Sequence, residues 1–274
     1  MKTNMLVPIA ICAGLFFGCG DETAGPGIID SSSSINGVSP GASNTQASPG
    51  GFWQGEDSNG GSISLVVTEA GRFHLVNADL SQGSGVLGVS DANEIESNFQ
   101  YVTQRGSTFA DGTTSMFCAL SGTIAERQTM TISVDCSNTA GFRDTFEATL
   151  SSKELYERDS SLDAIAGNYQ GDKVVLDVAA DGSVFSQDPG TGCVVNGQVN
   201  IIDNAFNVYD VEFTYSNCVE QAAMLNGSDF VGIALLDDTV VPEALFVAAI
   251  GNTDGDVPSF EGNFVSYVQA FERL

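Results

Sequence analysis

The chain has 274 residues, and its 9 Lys and Arg stand against 35 Asp and Glu, which gives a formal net charge of −26 at pH 7. This balance argues against a nucleic-acid-binding protein, which needs a basic surface to displace phosphate counterions, and against electrostatic docking on anionic lipid. Because 42% of the residues are hydrophobic and 16% are charged, the composition indicates a folded protein, and its 31 Gly suit many short strands joined by turns.

Residues 1–18 are predicted to be a signal peptide. Lys2 makes the start positive, and the apolar run Met5–Phe17, with 13 residues, is shorter than the roughly 20 that a spanning helix needs. The run ends in Leu15-Phe16-Phe17-Gly18-Cys19, which resembles the lipobox of bacterial lipoproteins. In that family the cysteine is acylated and becomes the first residue of the mature chain, so the resemblance implies a palmitate-type anchor at Cys19. The alternative is an ordinary secretory signal with an incidental cysteine.

Residues 19–50 are predicted to form a disordered tether. From Asp21 to Gly50 the chain has seven Ser, five Gly and three Pro but no aromatic residue, Lys or Arg. Such a segment cannot bury enough apolar surface to offset its loss of conformational entropy on ordering. In the lipoprotein family an Asp directly after the lipidated cysteine favours retention at the inner membrane. Gly20 has that place here, so an outer-membrane location is expected, on either its periplasmic or its outer face.

The remaining chain is predicted to be all-β, with one barrel over residues 51–150 and a second over residues 167–274. Polar and apolar residues alternate along both halves, as they do in half-buried strands. Each half holds about eight such strands, and an antiparallel meander of that size closes into a barrel, which removes exposed edges. Residues 151–166 between the halves are predicted to be a short helical connector, with Ser160 or Ser161 as a cap. Predicted strands start near Phe52, Ser62, Gly71, Gly85, Glu94, Thr114, Thr129 and Phe142, and near Asn168, Lys173, Gly182, Cys193, Asn207, Phe230, Ala244 and Phe260.

Four cysteines remain after Cys12 leaves with the signal peptide and Cys19 takes the lipid, and they indicate an oxidising compartment with one disulfide in each half. If a hairpin turns around Arg127, Cys118 lies directly opposite Cys136, within disulfide reach. The second pair is Cys193 and Cys218. The register that pairs Val199 with Val211 places Cys193 opposite Asn217, so this bridge requires a bulge or an offset at the strand ends.

Gly51 and Trp53 resemble the GxW signature of the lipocalin-like (calycin) barrels, and Gly167 and Tyr169 resemble a second copy of it. In that family the Trp plugs the closed end of the barrel and a late Arg packs over it. The resemblance makes Arg273 the candidate for that role in the second half, and the first half has no clear equivalent.

Barrels of eight strands can be filled by side chains or can enclose one small ligand. Large residues are predicted to face inward in both halves, which favours filled barrels. They are Phe99, Tyr101, Tyr209, Phe213 and Tyr215.

No catalytic or cofactor site is predicted. Residues 37–41 match the GxSxG nucleophile elbow and residues 83–88 match the GxGxxG phosphate loop, but neither has the helix that these sites need, and residues 83–88 are interpreted as a β-turn. His74 is the single histidine and alternates onto the polar face of its strand, which indicates a surface position. Oxygen ligands at alternate positions make Asn252, Asp254 and Asp256 weak calcium candidates, although a plain hairpin loop is favoured.

The sequence therefore favours a non-catalytic, lipid-anchored binding or scaffold module of the bacterial envelope, held to the membrane by its N-terminal lipid. Two other functions stay open: a lipocalin-like carrier of a small apolar ligand, and a calcium-dependent surface or adhesion protein. The protein or small molecule that would be bound is not predicted.

Overall fold

The computed structural model describes residues 46–253 and 264–274, which form two closed antiparallel β-barrels in tandem. The predicted fold class is confirmed. The predicted signal peptide and Cys19 lie outside the described residues.

The first barrel is an antiparallel meander with eight strand positions around its ring. It has nine strands, because two short ones follow each other in the same position. Its strands are β1 (Gly51–Asp57), β2 (Ser62–Val67), β3 (Arg72–Asn77), β4 (Gln82–Val86), β5 (Gly88–Val89), β6 (Glu94–Val102), β7 (Ser115–Ala125), β8 (Thr129–Ser137) and β9 (Arg143–Lys153). β1 pairs with β9, and both β4 and β5 pair with β6, so that no position in the ring is left open.

The second barrel has eight strands in sequence order. They are β10 (Gly167–Gln170), β11 (Val175–Val178), β12 (Ser183–Gln187), β13 (Val194–Ile201), β14 (Tyr209–Ser216), β15 (Asp229–Asp237), β16 (Ala244–Asn252) and β17 (Phe264–Arg273). β10 pairs with β17 and closes the ring. The predicted start of the last strand at Phe260 lies outside the described residues.

The glycine-rich segment 83–88 is part of the sheet and not the β-turn that the sequence indicated. Gly83 and Gly85 lie in β4, which starts at Gln82 and thus earlier than predicted. A Cβ at Gly83 would lie 2.2 Å from Cε2 of Phe99, and one at Gly85 would lie 3.1 Å from Cβ of the same residue. Glycine is therefore needed here so that an inward aromatic ring can lie against the strand.

The first disulfide has the predicted register. β7 and β8 form a hairpin whose turn contains Arg127 with a φ of 54°, and Cys118 lies directly opposite Cys136. Their Cα atoms are 4.0 Å apart, and both side chains are buried in the core of the first barrel.

The connector contains one short helix, α1 (Leu162–Ile165), and the side chain of Ser161 accepts a hydrogen bond from the backbone N–H of Ala164. Its first residues differ from the prediction because β9 continues to Lys153. Among the described residues, no helix has the length and apolar character required to cross a membrane.

Residues 46–50, which the sequence assigned to the tether, lie against the first barrel. The backbone N–H of Ala47 donates to Oδ1 of Asn93 at 3.1 Å, and the Ala47 side chain is buried. The backbone N–H of Ser48 donates to Oε2 of Glu126. Backbone hydrogen bonds to side chains of the barrel thus hold this segment in place, a contact that composition alone does not reveal.

An apolar contact joins the outer surfaces of the two barrels. Phe52, Val66 and Val76 of the first barrel form one buried cluster with residues of the connector and of the second barrel. The buried members from the connector and the second barrel are Tyr156, Val208, Ile233, Leu235 and Ala248. β2, β3, β15 and β16 are therefore buried on both faces. The sequences of β15 and β16 are nearly continuous apolar runs, whereas β2 and β3 keep Ser64 and His74 on the covered face.

His74 lies in this contact, so the predicted surface position is wrong. It lies directly opposite Val66 on the face of β3 that also carries Val76, and it is 1% exposed. Neither ring nitrogen has a hydrogen-bond partner among the described residues. Burial, together with the charge of nearby Arg72, holds the pKa of His74 well below its usual value. The polar face predicted by alternation is covered by the second barrel, where Arg72 pairs with Asp210 at 2.8 Å.

His74 should make the stability of the protein depend on pH between about 7.5 and 5.5. Because its pKa is lowered in the folded state, the unfolded chain binds the proton first, and the free energy of unfolding should fall as the pH drops below about 6.5. The slope should approach about 1.4 kcal/mol per pH unit. Urea denaturation of the wild type and of His74→Leu would measure it. A slope that persists unchanged in the variant would contradict the assignment, since the chain has no other histidine.

Candidate ligand-binding site

The second barrel encloses a cavity of about 310 Å³, so the prediction of filled barrels is wrong for this half. Its walls come from inward-facing side chains of β11 to β14, β16 and β17. They include Leu176, Val184, Val195, Val211, Val247 and Phe271. The lining is mainly apolar, as in most small-molecule sites.

The cavity exists because the large rings lie together on one wall. Phe213 of β14 and Phe230 of β15 stack with centroids 5.2 Å apart, and Tyr215 and Tyr267 meet them edge-on. Gly251 lies opposite Phe230 on β16, where a Cβ would approach the Phe230 ring to 2.6 Å. The rings therefore stay on the side of the barrel formed by β14, β15 and β17, and the facing strands β11 to β13 contribute mainly Leu and Val to the lining.

The first barrel lacks this separation of large and small residues. Trp53, Phe73 and Met116 are at most 1% exposed and belong to one continuous core. Phe99 lies edge-on to Phe73 at 5.4 Å and to Tyr101 at 6.4 Å, so rings from different strands meet inside the barrel. Large side chains thus pack the interior of this half.

Two phenols give the cavity polar groups. Tyr215 and Tyr267 are only partly buried although they point inward, because part of their surface faces the cavity. Burial raises the pKa of Tyr215 to about 12, although the charge of Arg105 opposes the rise. Burial also raises the pKa of Tyr267 well above its usual value. Both groups are therefore neutral at physiological pH and can donate a hydrogen bond to a ligand.

Tyr169 and Arg273 close one end of the second barrel. Tyr169 is fully buried, and its hydroxyl donates to the backbone oxygen of Ile165 at 2.8 Å. The Arg273 guanidinium carbon lies 5.1 Å from the centre of the Tyr169 ring, and Nη2 donates to the Tyr169 hydroxyl at 2.5 Å. Nε of Arg273 also pairs with Glu243 at 3.1 Å. Arg273 thus has the position that the lipocalin-like resemblance implies. Gly167, two residues before Tyr169, has a φ of 151°, a backbone conformation that favours glycine.

Trp53 is buried in the core of the first barrel, and its indole N–H donates to the backbone oxygen of Pro49 at 3.3 Å. A Cβ at Gly51 would lie 2.6 Å from the same indole nitrogen, so the ring requires glycine at that position.

Arg127, from the β7–β8 turn, packs over Tyr156 of the connector, with its guanidinium carbon 5.1 Å from the ring centre. It also pairs with Glu69 at 2.7 Å. Partial burial raises the pKa of Glu69, but hydrogen bonds from Arg127 and Ser48 outweigh it, so the pKa is lowered overall. The sequence did not single out this cluster, because its members are far apart in the chain.

The other end of the second barrel is a partly covered mouth. The 3₁₀ helix Glu220–Leu225 lies there and directs Ala222 and Leu225 at the cavity. The Cys193–Cys218 disulfide anchors the chain before this helix to the start of β13, with Cα atoms 4.0 Å apart. The expected offset is present: Val194 pairs with Ser216, and Asn217, with a φ of 59°, turns the chain so that Cys218 reaches Cys193.

Charged residues surround the mouth. Asp172, Lys173 and Asp188 belong to the second barrel, whereas Arg105 comes from the first. Hydrogen bonds from Thr191 and from the backbone N–H of Gly190 lower the pKa of Asp188, and the charge of Lys173 adds to the effect. Sequence reasoning missed the site, because inward glycines such as Gly251 also occur in the packed first barrel, at Gly83 and Gly85.

Only one of the three calcium candidates lies within the described residues. Asn252 is the last residue of β16, and Asp254 and Asp256 lie outside the described residues. Within residues 46–253 and 264–274, no group of three or more His, Cys, Asp or Glu side chains is placed to hold a metal ion.

No protein-family model matches the chain, and no curated protein sequence matches it. Among solved structures, the chain is similar to a protein provisionally assigned to the outer membrane of Bacteroides fragilis NCTC 9343. The two share 12% sequence identity with a TM-score of 0.25, over 82% of this chain and 95% of that one. A similarity of this degree does not assign a function.

Tyr169→Phe should destabilise the protein by about 1–2 kcal/mol, because it leaves the buried Ile165 carbonyl without its donor and removes an acceptor from Arg273. Tyr215→Phe is the matched control: its phenol faces the cavity, so its effect on the urea midpoint should be much smaller. Equal midpoint shifts in the two variants would contradict a specific closing role for Tyr169.

Proposed function

We propose that the chain is a non-catalytic, lipid-anchored protein of the bacterial envelope whose second barrel binds a small, largely apolar molecule. The observation that carries this proposal is the cavity of about 310 Å³ inside the second barrel. Its volume is at the lower end of the range found for ligand sites, which is roughly 300–1,000 Å³. The ligand is therefore expected to be small.

The character of the walls supports binding in preference to catalysis. The cavity presents aliphatic and aromatic side chains and two neutral phenols, and the single histidine of the chain lies in the contact between the barrels. An apolar ligand gains about 25 cal/mol for each Å² of apolar surface that it buries. The first barrel acts as a packed support for the second.

The lipid anchor rests on the resemblance of residues 15–19 to a lipobox and on the composition of the tether. The chain as a whole has a formal charge of −26, and a strongly acidic body near anionic lipid favours separation from the surface, which a long tether permits. Gly20 after the anchor residue supports placement in the outer membrane.

Val195→Trp should block the cavity. Val195 lies on β13 and lines the site, so an indole there would occupy the space of the ligand. The lipid-free mature chain, residues 20–274, should bind the neutral fluorescent probe N-phenyl-1-naphthylamine, and the variant should bind it at least about tenfold more weakly, a change of roughly 1.4 kcal/mol.

Val175→Trp provides the control, because Val175 is 43% exposed on β11 and the same substitution there points away from the cavity. Failure of the wild type to bind the probe or any apolar ligand in native mass spectrometry would remove the proposed function. Equal loss of binding in both variants would place the probe outside the cavity.

Cys19→Ala should abolish metabolic labelling with a palmitate analogue in a bacterial host and release the protein from the membrane fraction. Cys12→Ala should leave both unchanged, because Cys12 is predicted to leave with the signal peptide. Labelling that survives in Cys19→Ala would show that Cys19 is not the acylated residue.

A further inference from the structure

We propose that the ligand of the second barrel carries an acidic group, and that Arg105, supplied by the first barrel, recognises it at the mouth of the cavity. This inference rests on the proposed function and specifies the class of ligand: a small amphiphile with an apolar body and an anionic head.

The backbone around Arg105 is fixed to the second barrel. Ser266 of β17 donates its backbone N–H to the oxygen of Thr103 at 3.0 Å, and Gln104 forms a parallel bridge with Ser266. The buried Gln82 side chain donates to Oγ of Ser266 at 2.5 Å and to the backbone oxygen of Tyr267 at 2.9 Å. Since Tyr267 points into the cavity, this junction lies next to the site.

The Arg105 side chain reaches across the mouth. Its Nη2 donates to the backbone oxygen of Gln221 at 2.6 Å, in the 3₁₀ helix that partly covers the cavity. Arg105 lines the cavity, and its charge opposes the effect of burial on the pKa of Tyr215. A guanidinium, held at one nitrogen by a carbonyl, keeps further N–H groups for a carboxylate or a phosphate.

Arg105 differs from the other arginines of the chain in its charge partners. Among the described residues, all the remaining arginines form ion pairs with carboxylates, whereas Arg105 forms none. The paired arginines are Arg72, Arg127, Arg143, Arg158 and Arg273. In a chain with 35 acidic residues and 9 basic ones, a guanidinium that lies beside an apolar cavity and forms no ion pair within the described ranges suits an anionic ligand.

The acidic residues at the mouth do not cancel this arrangement. Asp188 accepts hydrogen bonds from the backbone N–H of Gly190 at 2.7 Å and from Oγ1 of Thr191 at 2.8 Å. Its carboxylate therefore stabilises the turn in which it lies. Lys173, which also lines the mouth, acts on Asp188. Asp172 is the remaining carboxylate of the lining and would favour a cation, which makes a cationic ligand the competing outcome of the test.

Three ten-carbon compounds separate the possibilities: decanoate, decanol and decylammonium, each measured at pH 7 by displacement of N-phenyl-1-naphthylamine from residues 20–274. Decanoate should bind about fivefold more tightly than decanol, because an exposed ion pair contributes up to about 1 kcal/mol. The preference should shrink in 0.5 M salt. Arg105→Gln should remove the preference for decanoate and leave the affinity for decanol unchanged. Arg143→Gln, on the outside of the first barrel, should change neither the preference nor the decanol affinity.

The outcomes are distinguishable. If the naphthylamine probe and all three compounds fail to bind, the proposed function itself is overturned. If decanol binds as tightly as decanoate, or decylammonium binds most tightly, the acidic head group is overturned while an apolar site stands. If decanoate is preferred and Arg105→Gln leaves that preference intact, the assignment to Arg105 is overturned.

Discussion

The apolar contact between the two barrels is the constraint on which the rest of the structure depends. It buries outward-facing side chains of β2, β3, β15 and β16, so these strands are buried on both faces. Burial of this kind is the main favourable contribution to association of folded units. Here it places the single histidine of the chain in the contact and brings the loop after β6 to the mouth of the second barrel.

The two barrels share a topology but differ inside, and the difference follows from where their aromatic residues lie. In the first, rings of β3 and β6 meet edge-on and belong to one continuous core that fills the interior. In the second, the rings stack on one wall, where Gly251 makes room for Phe230, and the opposite wall carries shorter side chains. One repeat is thus packed throughout, while the other contains a cavity of about 310 Å³. The two repeats are also linked at the cavity, because Arg105 of the first barrel is one of the residues that line it.

Much of the fold could be predicted from local pattern. Alternation identified the strands, and the register of Cys118 and Cys136 followed from one hairpin, because side chains on a strand repeat every two residues. The pairing of Tyr169 with Arg273 followed from a family resemblance. The cavity could not be predicted in the same way: Phe213 and Tyr215 are large and inward-facing, and only the stacking of Phe213 on Phe230 and the edge-on contact of Tyr215 with both rings show that they leave space.

By itself, the sequence determined the all-β class, the two-barrel division and the partners of both disulfides, since each depends on alternation and on spacing along neighbouring strands. Tertiary structure decided which polar faces are buried and which barrel is hollow. His74 lies on a face that alternation marks as exposed, and Arg105 lies beside a cavity formed by residues more than 60 positions away. Both depend on how one barrel sits against the other, and the sequence of one segment does not show which distant segment covers it.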